Sequence, residues 1–201
     1  MDIGSLISKQ GIRALGIAES FRLGMDYSVL VGVVMRTDWL IDGVVVGRAR
    51  VGGMDATESI INLHRSLGRS DIQLIMLDGC IISWYNIVNL SELHKSLGIP
   101  VICLVFEEPE GDVPNALRKL FPNDYEVRVR AYEALGKPHE FIIPGGLRVY
   151  ARFVGIDYRA VRVILRKFTR EGKRPEPIRV ARLIANAILT SGTNQTHKKD
   201  Q

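Results

Sequence analysis

The chain has 201 residues, 46% of them hydrophobic, which suits one domain with a full core. No run of 18 apolar residues occurs, and residues 1–12 lack the apolar segment of a signal peptide, so neither a spanning helix nor a leader is expected. The net charge of +5 is unevenly spread: from Leu147 onward 13 Lys and Arg face 4 Asp and Glu, against 14 and 18 in residues 1–146. An acidic body with a basic C-terminal third suits a phosphate-bearing partner.

In chain order, residues 1–12 read as a loose lead-in. Residues 14–20 (ALGIAES), 28–36 and 39–51 read as three strands, with a turn at Thr37-Asp38 and a turn or bulge at Asp42-Gly43. Their short connections make an antiparallel meander. Residues 55–67 read as a helix with Ile60, Ile61, Leu63 and Leu67 on its apolar side, stopped by Gly68. Residues 72–77 form a buried strand that ends in Asp78-Gly79. A carboxylate there is costly to desolvate unless a cation, an N–H cluster or a basic partner compensates it. A helix at 89–97 and a second buried strand at 100–105 complete a β-α-β unit. Its acid lies at the crevice where open α/β sheets keep their sites.

Residues 107–136 are polar and acidic, with short helices expected at 113–121 and 126–135. Two short strands, 139–143 and 147–154, flank a turn at Pro144-Gly145-Gly146. In a helix over 157–170, Arg159, Arg162, Arg166 and Arg170 recur at spacings of three, four and four, so they line one stripe opposite Val161, Ile164, Leu165 and Phe168. Such a stripe repels itself unless an anion or acid faces it. A last helix is expected over 178–190, within a single domain of residues 1–192, followed by a disordered tail at 193–201.

Cys80 and Cys103 fall in or beside buried strands and read as reduced core residues of a cytoplasmic protein. No CxxC or His/Cys cluster suggests zinc, and neither GxGxxG after a strand nor GxxxxGK[ST] is present. The order βββαβαβ, meander first and parallel pairs after, is that of a ribonuclease H-like mixed α/β sheet with flanking helices.

Four stretches together resemble one family. They are the GI-x-[DE]-S start at residues 16–20, DATE at 55–58, LDG followed by a PVI strand, and RPEPIRVAR at 174–182. The pattern is similar to the archaeal endonuclease dU group, long called a domain of unknown function and itself like endonuclease V. The resemblance implies Mg²⁺-dependent cleavage (Mn²⁺ as substitute) of DNA phosphodiesters near deaminated bases, of the deoxyuridine or deoxyinosine type. It implies Asp78 as the central metal ligand and Asp55 as the second acid with Glu58 as its rival; either Glu19 or Glu58 would serve as the third catalytic carboxylate. Nucleic acid would be held by Arg159, Arg162, Arg166, Arg179 and Arg182, with Tyr85 or Trp84 able to stack on a base. This chain departs from the pattern where the first-strand acid falls at Ala18. Neighbouring residues on a strand face opposite ways, so Glu19 would point away from the site unless a bulge or strand end re-aims it. The histidines of endonuclease V fall at Trp84 and Ile156, its lysine at Phe106, and its Tyr-Ile-Pro-Gly wedge has no counterpart in VVVGRARVGG. Binding without cleavage is therefore the alternative function, and a scaffold for an acidic partner a third.

Overall fold

A computed structural model describes residues 11–108 and 111–196 of the chain. Most of the expected lead-in, and the tail beyond 196, lie outside these residues. In order run β1 (Arg13–Ser20), β2 (Tyr27–Arg36), β3 (Ile41–Arg50), α1 (Ala56–Ser66) and β4 (Leu74–Asp78). A small hairpin, β5 (Ile81–Ile82) and β6 (Asn86–Ile87), precedes α2 (Leu90–Leu97) and β7 (Val101–Val105). Then come α3 (Val113–Leu120), α4 (Tyr125–Glu133), β8 (His139–Ile143), β9 (Leu147–Val154), α5 (Tyr158–Phe168) and α6 (Glu176–Thr196).

Seven strands form one sheet in the order β3-β2-β1-β4-β7-β9-β8. The first three are antiparallel, β1, β4 and β7 are parallel, and β9 and β8 add an antiparallel hairpin at the far edge. This is the mixed sheet expected from the element order. Asp42 is the extra residue of a β-bulge, since Val34 pairs with Gly43 and Met35 with Ile41.

The strand period of two sorts the core into two layers. Leu15 and Ile17 of β1 and Ile75 and Leu77 of β4 pack with Ile60 and Leu63 of α1 and Leu93 of α2. Ala14, Leu74, Met76, Ile102 and Leu104 face the other way, onto Ile164, Leu165 and Phe168 of α5 and Ile178 of α6. Each such burial stabilises by about 1.5–3 kcal/mol before chain entropy is set against it. α6 lies close on β1 because position 16 is glycine: a Cβ there would run into the Pro177 backbone. Farther along, Ala18, Val31 and Val33 pack under Ala181 and Ala185 of α6.

Three features depart from expectation. The β5–β6 hairpin was not anticipated. α6 starts at Glu176 and runs on to Thr196. Cys80 and Cys103 are joined in a disulfide, not reduced. Leu77 pairs with Cys103 across β4 and β7, so the chain leaving β4 carries Cys80 back over the Cys103 side chain in the same buried cluster. The reduced thiols therefore no longer argue for a cytoplasmic location. Among the described residues, no helix is long and apolar enough to cross a membrane.

Candidate active site at the ends of β1 and β4

Asp78 is the last residue of β4 and follows Leu74 and Met76 in facing the α6 layer. Its side chain is only 7% exposed, yet it is not left uncompensated. Arg182 Nη1 of α6 donates to Oδ2 at 3.0 Å, and Arg174 Nε stands 3.6 Å from Oδ1. The Arg174 guanidinium lies 4.3 Å above the Phe106 ring, and Lys173 Nζ donates to the Phe106 carbonyl at 3.0 Å. The α5–α6 connection is thereby fastened over the ends of β4 and β7.

Ala18 faces α6, as the strand period requires, so Glu19 enters the opposite layer. Its Oε1 accepts the Ser83 N–H at 3.3 Å, while Oε2 is buried with no hydrogen-bond partner. Burial holds the Glu19 carboxyl above its ordinary value of 4.5; the Ser83 N–H and Arg182 oppose that, and the Asp78 charge adds to it. The two carboxylates are thus in electrostatic reach of each other. A void of about 10 Å³ lies among Glu19, Asp78, Gly79 and the apolar side chains of Ile17, Leu30, Ile60, Leu77 and Ile82.

Asp55 is occupied elsewhere. Both its oxygens accept the Arg50 N–H, at 3.1 and 3.2 Å, and Asn86 Nδ2 donates to Oδ1 at 2.6 Å. Buried Asn86 also accepts the Ala56 N–H, so the pair fixes the start of α1. Glu58 is exposed on α1. Among the described residues no group of three or more His, Cys, Asp or Glu side chains is gathered as a cation site. Of the four acids named from the sequence, Asp78 and Glu19 come together, and Asp55 and Glu58 do not join them.

A divalent cation can be tested against this donor set. Mg²⁺ is commonly held by one or two carboxylates, the remaining positions going to water and substrate phosphate. Asp78, the orphaned Glu19 Oε2 and a gap the size of one water fit that pattern. The two arginines on Asp78 would compete with a cation for that carboxylate.

The basic residues divide similarly. Arg182 reaches Asp78, whereas Arg179 is paired with Glu176. Arg159, Arg162 and Arg166 lie exposed along α5. Arg174 was not singled out, although it opens the RPEPIRVAR stretch. Arg128, 5% exposed, carried no sequence signal, since Val127, Val129 and Ala131 of α4 alternate with charged residues and define no apolar helical face. It donates to the carbonyls of Gly52, Gly53 and Tyr85 and pairs with Asp124. Tyr85 is half-buried, edge-on to Phe121 at 6.0 Å. Beside Asp78 opens a cavity of about 430 Å³, whose lining includes Gly79, Phe106, Tyr132, Arg152 and Lys173.

The family model described as Endonuclease dU matches residues 10–189. A UPF0215 protein of Pyrobaculum calidifontis is 42% identical over 174 residues, covering 87% of this chain and 95% of its own. A crystal structure of a protein of unknown function from Archaeoglobus fulgidus superposes with a TM-score of 0.78 at 28% identity, covering 89% of this chain and 98% of that one. Endonuclease V of Ciona intestinalis, in complex with a 24mer DNA containing an inosine followed by a ribo-adenosine, superposes with a TM-score of 0.60 at 13% identity, covering 90% and 87%. The fold is ribonuclease H-like, as the strand order indicates.

Proposed function

The chain belongs to the endonuclease dU family, and on that premise we propose that it hydrolyses DNA phosphodiesters near deaminated bases, of the deoxyuridine or deoxyinosine type. One observation carries the reading: Asp78 and Glu19, from adjacent parallel strands, line one small gap at the carboxyl end of the sheet, with Arg182 acting on both and Arg174 on Asp78. Asp78 and Glu19 are the residues that would hold Mg²⁺ or Mn²⁺. When bound, the cation supplies phosphate polarisation and lowers the pKa of the attacking water.

The chain's own groups do the rest. Arg174 and Arg182 offer guanidinium donors to a phosphate, which matches their geometry as well as a carboxylate does. A phosphate that takes them off Asp78 frees that carboxylate. The exposed arginines of α5 hold flanking phosphates. The cavity beside Asp78 is of a size for small ligands and admits a nucleobase taken out of its stack.

The test is cleavage of labelled strands carrying one uracil or hypoxanthine, with Mg²⁺ or Mn²⁺. Wild type cuts, and Asp78→Asn binds without cutting. Cutting by Asp78→Asn at the wild-type rate would overturn the assignment. A second reading, binding without cleavage, is favoured by Ala18, which puts a methyl group where the resemblance expects an acid. Salt-sensitive binding with no cleavage under either cation would establish it.

A further inference from the structure

The β5–β6 loop is built from Ser83, Trp84 and Tyr85, three successive residues with φ of 45°, 57° and 64°. All three stand in the left-handed region that large side chains avoid. Asn or Gly would make this turn without strain. Strain of this kind persists only where the surroundings over-determine it, and it concentrates at functional sites.

The surroundings do over-determine it. Ser83 is fully buried; its Oγ lies 2.6 Å from Ser28 Oγ, its carbonyl accepts the Gly52 N–H at 2.7 Å, and its N–H is spent on Glu19. Arg128 holds the Tyr85 carbonyl at 3.1 Å. What the turn achieves is to sink Ser83 and push Trp84 out to 37% exposure. Phe121, at 5.6 Å, backs the indole, and Gly52 lies against the same ring. Asn86, just after the turn, donates to the Arg50 carbonyl at 3.0 Å, which ties the turn to the end of β3.

We propose that Trp84 is a stacking platform for an unpaired nucleobase of the substrate strand, placed beside the Asp78–Glu19 pair by the left-handed turn. The inference rests on the nucleic-acid reading above and assigns the role to Trp84, with Tyr85 as its support. A flat, exposed aromatic one residue from the donor to Glu19 matches the chemistry of base stacking, which tolerates any base. A buried structural aromatic would need neither the exposure nor the strain.

The chain has two tryptophans, Trp39 and Trp84, so Trp39→Phe leaves Trp84 as the only indole reporter. In an Asp78→Asn background, a uracil-containing single strand is expected to quench Trp84 emission saturably. A strand of equal length lacking bases should bind with little quenching. Trp84→Asn, which tolerates the left-handed backbone, should weaken binding about five- to 150-fold at an unchanged salt slope, and Trp84→Phe should restore most of it. Saturable binding, followed by anisotropy of a labelled strand, with Trp84 emission unchanged and Trp84→Asn binding like wild type would overturn the proposal. Cleavage by otherwise wild-type protein separates the two readings. Quenching without cleavage in any cation defeats the nuclease reading and leaves stacking in place. Cleavage with Trp84 silent defeats stacking alone.

Discussion

Replacing Glu19 with glutamine is expected to make the protein more stable at neutral pH while removing its response to a divalent cation. Glu19 Oε2 is buried, lacks a partner and faces Asp78 across a largely apolar void. A buried polar atom without a partner costs about 1–3 kcal/mol. Glutamine keeps the Oε1 acceptor for the Ser83 N–H, removes the charge, and puts a donor toward Asp78 in place of the unpartnered oxygen. A gain of about 1–2 kcal/mol corresponds to a rise in Tm of roughly 2–8 °C for a chain of this size. Because the folded carboxyl titrates above 4.5, the native state binds the extra proton between that value and its own pKa. The penalty is thus absent at pH 4, grows as pH rises through the folded pKa, and is complete above it. Thermal unfolding of both proteins from pH 4 to 8 measures the gap, which should close toward pH 4. Added Mn²⁺ should raise the Tm of wild type and leave the variant unmoved. A variant less stable than wild type at pH 7, or a gap independent of pH, would refute the reasoning.

Burial and then Arg65 hold the half-buried His64 imidazole below its ordinary 6.5, so the unfolded chain binds its proton first. Stability should therefore decline as pH falls through 6.5 toward the folded value, and His64→Gln should flatten that slope in Tm scans. Gly16→Ala should destabilise by about 3 kcal/mol, read by denaturant unfolding, because the new methyl meets Pro177 backbone and not a side chain that can turn aside. Arg128→Met should cost about 3 kcal/mol or more, since three carbonyls and Asp124 lose their donor at once. Its Trp84 emission should shift to the red as the turn opens.

The seven long strands were legible because Val-rich runs and short connections leave few other arrangements, and Asp78 was legible because an acid closing a buried run is costly. The Ser83–Tyr85 turn was not. Strands of two residues show no period, and Trp84 and Tyr85 are not residues that turn chemistry favours. Arg128 was hidden for a related reason: its value lies in carbonyls contributed by two distant loops, which no local pattern reports. The cysteines were misread because burial is the usual fate of a free thiol. What decides pairing is the Cα separation, 5.8 Å, which a gap of 23 residues does not disclose.

The position of Glu19 joins these threads. Strand period puts Ala18 under α6 and Glu19 in the opposite layer, an arrangement that would keep Glu19 from Asp78 anywhere in the middle of the sheet. The β1–β4 ladder, however, ends at Ile17 and Leu77. Beyond those residues β1 and β4 no longer pair with each other, and Glu19 and Asp78 both line the one gap there. Arg182 acts on both carboxylates across it. A one-residue displacement of an acid therefore costs the usual geometry, with both acids on one face, but not proximity. It also explains the burden on the Ser83 turn: with Glu19 arriving from the α1 side, a backbone N–H must come from that side to hold it. The left-handed turn that exposes Trp84 supplies that N–H.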